Sequence, residues 1–289
     1  MTRPLLIAQV TDCHIGFFRD PAGGANTRRL CAVLDRLRTG PNRPDLLLLS
    51  GDLTEFGDVA SYQRLAETLA DFPCPVHLMV GNHDDRAALR GVFPETQLDQ
   101  GFVQYVVPLP GLRLIVLDTL EPGRHGGAFC EARADWLRAQ LDADPATPVV
   151  IAMHHPPVIT GLDWLDGDSE ASWTRRFAAA IAGRSQVRTI IAGHVHRSIH
   201  TQLAGVPLTV CPSTAAAIAL DLTPVSPERP DGRAMIAGEP AGYALHRWDG
   251  ERLVSHVETV PDNGTWPRLA RYDAAFQDLV QQNARERRD

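Results

Sequence analysis

The sequence has no C-x-x-C pair and no even set of cysteines. Its five, Cys13, Cys31, Cys74, Cys130 and Cys211, are widely spaced. This excludes a disulfide-stapled scaffold, and reduced thiols in a cytoplasmic protein are the simplest account. Long apolar runs are missing as well. The run from Leu5 to Ala8 is broken at once by Gln9, which is too short for a signal-peptide core or a membrane span, so neither a leader nor a membrane partner is expected. Clustered positive charge is equally scarce. The formal net charge is −7, and the one dense basic group, Arg285, Arg287 and Arg288, reads as a solvated tail. Binding a nucleic acid duplex needs a Lys/Arg surface that displaces counterions, so a duplex is not an expected partner. No internal repeat and no disorder signature is present. With 44% apolar and 22% charged residues over 289 positions, the chain can bury a substantial core.

What is present is an alternation of two periodicities. Leu5–Gln9, Leu46–Leu49, Val76–Val80, Leu112–Leu117, Val149–Met153 and Arg188–Ile191 read as buried strands. Thr27–Arg38, Ala60–Ala70, Glu131–Leu141 and Trp173–Ile181 carry apolar residues three to four apart and read as helices. Strand pairs are expected within Ser198–Val210 and Gly242–Val257. The pattern argues for an α/β fold. Pro224–Pro240, rich in Pro and Gly, reads as a surface excursion. From Thr265 the tail reads as a helix with Pro267 near its first turn and Leu269, Tyr272, Phe276, Leu279 and Val280 on one face. The expected division is a domain over 1–260 and a helical tail over 261–289, packed on that domain or against a second copy in a homo-oligomer.

Five polar segments follow the expected strands within a residue or two: Asp12-Cys13-His14, Gly51-Asp52, Gly81-Asn82-His83-Asp84, His154-His155-Pro156 and Gly193-His194-Val195-His196. In α/β folds, sites gather at the carboxyl ends of strands. The segments offer carboxylate, amide and imidazole donors and no needed thiolate, a mixture suited to ions such as Zn, Mn, Fe or Co. In an extended segment alternate residues share a side. Asp12 and His14 then reach one ion while Cys13 points away, and His194 and His196 flank a metal pair. Gly51 and Gly193 allow the backbone to turn tightly beside the site. A lone D-x-H, H-x-H or G-D carries little information; all five in this order, as a set of buried polar residues without a ligand, would leave many charges to satisfy.

This order of blocks resembles the calcineurin-like metallophosphoesterases, whose pattern is D-x-H, G-D, G-N-H-D/E, a single His after a strand, and G-H-x-H. The match spans Asp12 to His196. The spacing looks closest to bacterial cyclic-nucleotide and glycerophosphodiester phosphodiesterases, as do His154-His155-Pro156-Pro157 and Cys211-Pro212-Ser213-Thr214. The resemblance implies a four-layer α/β/β/α sandwich with two mixed sheets. It implies two divalent or trivalent ions, the first held by Asp12, His14, Asp52 and His196, the second by Asp52 as a bridge, Asn82, His154 and His194. Asn82 and His83 would also bind substrate phosphate, with His83 protonating the leaving group, and His155 is a further candidate for substrate contact. Cys130 and Arg133 depart from the family's residues at their positions, so the ester's identity stays open.

The implied reaction is hydrolysis of a small phosphodiester by a water that two ions activate. A phosphomonoesterase or nuclease of the same superfamily is the alternative, and a non-catalytic binding protein a further one, although no ligand or proton donor is missing. His77, His200 and His246 read as structural or surface histidines, His125 as a loop residue, Trp164 as a candidate pocket wall and Trp136 as core.

Overall fold

The computed structural model describes residues 3–17, 24–167, 171–261, 269–272 and 274–286. In chain order the first elements are β1 (Leu5–Val10), α1 (Ala25–Thr39), β2 (Leu46–Ser50), α2 (Val59–Leu69), β3 (Val76–Met79), α3 (Arg86–Val92), β4 (Tyr105–Leu109) and β5 (Leu112–Leu117). Then come α4 (Glu131–Ala143), β6 (Val149–Met153), α5 (Ser172–Ile181), β7 (Val187–Ala192), β8 (Ile199–Leu203), β9 (Val206–Val210) and β10 (Ala217–Ile218). The last are β11 (Ala234–Ala237), β12 (Ala241–Trp248), β13 (Leu253–Val260), β14 (Leu269–Arg271) and α6 (Ala274–Glu286).

Two large mixed sheets result. One runs β13-β12-β1-β2-β3 and the other β4-β5-β6-β7-β9-β8. Within them β1, β2 and β3 are parallel, as are β5, β6, β7 and β9. The two-residue period of β5 and β6 shows how the layers stack. Leu114, Val116, Val150 and Ala152 join a core shared with the first sheet and helices α1 and α2. Their neighbours Ile115, Leu117, Val149, Ile151 and Met153 point the other way, into a second core with Trp136 and Leu137 of α4 and Phe177 and Ile181 of α5. Both faces of the second sheet are therefore buried, which is why β6 reads as an unbroken apolar run. The layers are helix, sheet, sheet, helix. Caps set two helix starts: the Asp58 side chain accepts from Ser61 N before α2, and Asp85 accepts from Ala88 N before α3.

Three expectations are corrected. Pro224–Pro240 is not wholly a surface excursion, because it contains β11, which pairs with β10 and β14 in a small third sheet and buries Met235 in the second core. The terminal helix begins at Ala274, and Leu269 belongs to β14; Pro267 lies outside the described residues. Trp164 is a core residue of the second cluster, and Trp173 walls the cavity instead. The tail packs on its own chain, with Tyr272 and Val280 buried in the second core and Phe276 and Leu279 against it.

Candidate metal centre

Because β1, β2, β3, β6 and β7 all end at one rim, the five polar segments converge where the two sheets meet. Backbone hydrogen bonds knit the loops past the strand ends: Asp12 N donates to Gly51 O at 3.0 Å, His14 N to Asp52 O at 3.0 Å, and Gly193 N to His154 O at 3.0 Å. The approach is close enough to require glycine at two of the positions singled out above. A Cβ on Gly51, whose φ is +98°, would run into His154 Nδ1, and one on Gly193 would run into Thr11 Oγ1 and come within 2.9 Å of Asp12 Oδ2.

The ligand candidates do not alternate along an extended strand, as the spacing argument assumed. Asp12, His14, Asp52, His194 and His196 have φ of 52°, 44°, 48°, 74° and 54°. They are five of the seven non-glycine residues at positive φ among the described residues. Each costs on the order of 1–3 kcal/mol, a strain that gathers where function fixes geometry. The side chains still converge, but by local backbone reversal.

Hydrogen bonds fix which imidazole nitrogen faces the centre. His154 Nδ1 donates to Ser50 O at 2.9 Å and His196 Nδ1 to Ala216 O at 2.7 Å, while His14 Nδ1 meets Glu55 Oε2 at 2.7 Å. A carbonyl or carboxylate accepts only, so each ring is left with Nε2 turned inward. His14 Nε2 and His196 Nε2 then face each other at 3.1 Å, two lone pairs that need a cation or a shared proton between them. His196 Nε2 lies 3.3 Å from Asp12 Oδ1. Asp52 Oδ2 lies 3.6 Å from His14 Nε2 and 3.3 Å from His154 Nε2, so a single oxygen stands between the two groups. The other oxygen, Oδ1, accepts from His83 N at 2.9 Å.

Three buried polar atoms here have no hydrogen-bond partner: Asn82 Oδ1, His154 Nε2 and His194 Nδ1. Buried polar atoms are rarely orphaned, and when they are an ion is one explanation. Of these, His154 Nε2 stands 3.3 Å from Asp52 Oδ2, and His194 offers a ligand atom within 4.8 Å of one of His154, which fits a metal ion there. The donor groups Asp12/His14/His196 and Asp12/Asp52/His154 each offer ligand atoms within 4.8 Å of one another, as does His154/His155/His194.

Charge follows the same division. Burial pushes the Asp52 carboxyl up, but His154, His83 and His14 around it hold it well below the usual carboxylate range. Asp12 is brought down to about 2, against its burial, chiefly by His196. His154 rises to about 9 against its burial under the charges of Asp52 and Asp12, whereas burial and His154 press His194 down to about 3. Carboxylates are thus paired with imidazole protons that a divalent cation would replace.

Around this centre stand residues with other partners. His83 Nδ1 donates to Glu55 O at 2.9 Å, leaving Nε2 free to face a ligand; its pKa is raised, against burial, by Asp52 and Glu55. Glu55, which the sequence reading missed, touches His14 and stands 3.7 Å from His83 Nδ1. Asp84 accepts from Tyr62 Oη at 2.8 Å, Gly81 N at 2.9 Å and Leu53 N at 3.1 Å, tying the Gly81–Asp84 turn to the loop after β2. His155 has both ring nitrogens engaged, Nε2 donating to His125 O at 3.1 Å and Nδ1 meeting Thr119 Oγ1 at 2.7 Å. Burial and two neighbouring histidines keep it neutral. His246 is structural, bonded to Gln9 and Ser255. Arg133 donates to Asp118 O and Leu120 O, bracing the loop that bears Thr119. A cavity of about 750 Å³ opens beside the centre, with His194, His155, Trp173, Cys130, Arg124 and Glu286 among its walls.

Residues 5–198 match the sequence profile of a family described as calcineurin-like phosphoesterase. A protein of Synechococcus sp. named probable cyclic nucleotide phosphodiesterase is 35% identical over 245 residues, 82% of this chain and 89% of that protein. A probable glycerophosphodiester phosphodiesterase of Arcobacter nitrofigilis is 30% identical over 221 residues, 75% of this chain and 79% of that protein. Among solved structures, a purple acid phosphatase from yellow lupin (Lupinus luteus) superposes with a TM-score of 0.63 at 12% identity, over 90% of this chain and 52% of that one, a likeness of fold.

Proposed function

The chain belongs to the calcineurin-like phosphoesterase family and is a metal-dependent phosphodiesterase, and from that premise we propose that it hydrolyses a small phosphodiester of the cyclic-nucleotide or glycerophosphodiester type at a two-ion centre. Asp12, His14, Asp52 and His196 hold the first ion. Asp52, Asn82, His154 and His194 hold the second. The observation that supports this division best is the position of Asp52 Oδ2, 3.6 Å from a ligand atom of one set and 3.3 Å from a ligand atom of the other. When bound, ions such as Zn, Mn, Fe or Co supply Lewis-acid activation of water and neutralise the phosphoryl oxygens.

The remaining work belongs to side chains. Asn82 offers Oδ1 as a ligand atom for the second ion, and its Nδ2, 3.4 Å from His125 Nδ1, is the end that can donate to the phosphate. His83, held through Nδ1 by Glu55 O, carries a proton at Nε2 toward the leaving oxygen, which is the general-acid position. His14, His154 and His196 are kept in the Nδ1–H tautomer by Glu55, Ser50 and Ala216, so no reorientation precedes ligation. His155, with both nitrogens engaged, orients the loop at His125 rather than touching substrate. The partner is thus a small anionic ester. No helix among the described residues is long and apolar enough to cross a membrane, and the net charge of −7 disfavours a duplex. All five cysteines are unpaired, which supports a reducing compartment such as the cytoplasm.

The test is metal analysis of purified protein with kcat/KM for 3′,5′-cyclic AMP, a glycerophosphodiester, bis-p-nitrophenyl phosphate, p-nitrophenyl phosphate and an oligonucleotide. Two ions per chain and a preference for small diesters are expected. Preference for the monoester or the oligonucleotide would favour the other hydrolase readings, and absence of turnover on all five would favour a binding protein.

A further inference from the structure

The last residue of α6, Glu286, reaches the centre from the far end of the chain. Its carboxylate accepts from His125 N, 3.1 Å from each oxygen, and from Gly126 N at 2.9 Å. Arg124 Nη2 donates to the Glu286 backbone carbonyl at 3.3 Å. Two adjacent backbone amides closed on one carboxylate form a charge-assisted clamp, and the Glu286 side chain is only 14% exposed, so solvent weakens it little. On the opposite side His155 Nε2 donates to His125 O at 3.1 Å. The backbone at His125 is therefore gripped at its N–H by α6 and at its carbonyl by the segment after β6.

The gripped residue touches a proposed metal ligand. His125 Nδ1 lies 3.4 Å from Asn82 Nδ2. An amide nitrogen donates only, so Nδ1 accepts, and the Asn82 amide is turned with its NH₂ toward His125 and its carbonyl Oδ1 away from it. That Oδ1 is one of the orphaned buried atoms. Asn is the one neutral oxygen donor of the set, and its carbonyl and amide ends are nearly isosteric, so an outside contact must choose between them.

We propose that Glu286 is a positioning residue for the second ion: it fixes His125, which in turn holds Asn82 in the rotamer that offers Oδ1. The inference rests on the reading of Asn82 as a ligand. It makes the C-terminal helix part of the working site, although its residues lie some 160 positions from the loop they clamp.

The experiment is calorimetric titration of the metal-free full-length protein with Mn²⁺ alone, beside thermal unfolding. In Glu286→Ala the weaker class of sites should lose about 10-fold in affinity, the scale on which partners behind a metal ligand act. The tighter class should stay as in the wild type, and loss of the clamp should lower the unfolding temperature by only a few degrees. Glu286→Gln, which keeps one acceptor oxygen, should lose less, and exposed Arg285→Ala nothing. His125→Ala should reproduce the Glu286→Ala loss, and the double variant should lose no more than either, since both act through Asn82. A wild-type isotherm for Glu286→Ala, equal weakening of both classes, or additive losses in the double variant would each overturn the proposal. A single class in the wild-type protein would overturn the two-ion reading, and this inference with it; two wild-type classes with Glu286→Ala unchanged overturn the inference alone.

Discussion

The two halves of the centre are built from different chemistry. Around His14 and His196 the surroundings are anionic: Asp12 and Asp52 face the imidazoles, and Glu55 stands behind His14. Around His154 and His194 the shared Asp52 stands 3.3 Å from His154 Nε2 and Asp12 3.9 Å from it, no counterpart of Glu55 is seen among the described residues, and the remaining oxygen donor is the neutral Asn82. The His196 pKa is raised, against burial, by Asp12, whereas that of His194 is pressed down to about 3 by burial and His154. A cation is therefore held by more negative charge in the first half than in the second. On the proposed two-ion reading, one motif set yields two unequal sites coupled through a single carboxylate, the one backed by Glu55 being the tighter.

The strongest way to break the comparison is to remove what the halves share. Asp52→Ala should empty both sites and lower kcat/KM by about 10³-fold or more, since several kcal/mol of transition-state stabilisation go with the ions; metal content and turnover are read together. A large effect of another kind should come from His83→Ala. Both ions stay, and the rate on alkyl diesters falls by about 10²–10⁴-fold, the usual contribution of a positioned proton donor. The loss on bis-p-nitrophenyl phosphate should be smaller because that leaving group needs little protonation, so the ratio of kcat/KM for the two esters reports the role. Asn82→Ala sharpens the contrast between halves: the weaker Mn²⁺ class should lose more than about 100-fold, beyond the range of a supporting contact, with the tighter class unchanged. Glu55→Ala is its mirror image and the mildest of the four. It should weaken the tighter class about 10-fold by releasing His14, while Glu55→Gln, which retains an acceptor oxygen, should lose less.

How far the sequence carried this picture depends on range. The strands ending in Val10, Ser50, Met79, Met153 and Ala192 were legible within a residue or two because each is a short apolar run that stops at a polar block. The gathering of the loops after these strands at one rim was legible for the same reason. The backbone of the ligand loops was not: Asp and His visit positive φ more often than most residues but still rarely, so Asp12 and His196 carry only a weak sign of it. β11 and β14 were hidden because strands of four and three residues, paired only through the tertiary fold, carry too little periodicity beside Pro and Gly. α3 was missed although Asp85 caps it, because seven residues show barely two turns of pattern. Glu55 had a local signal, an acid three residues after Asp52 at a strand end; Glu286 had none, because its partners are brought to it only by the docking of α6.

The central claim is that two unequal ions share Asp52. Electron paramagnetic resonance during Mn²⁺ titration of the metal-free protein tests it most directly. The account predicts an isolated Mn²⁺ spectrum up to one equivalent, then a spin-coupled pair signal as the second site fills, with coupling lost in Asp52→Ala. Isolated-ion spectra throughout, or coupling that survives Asp52→Ala, would contradict it.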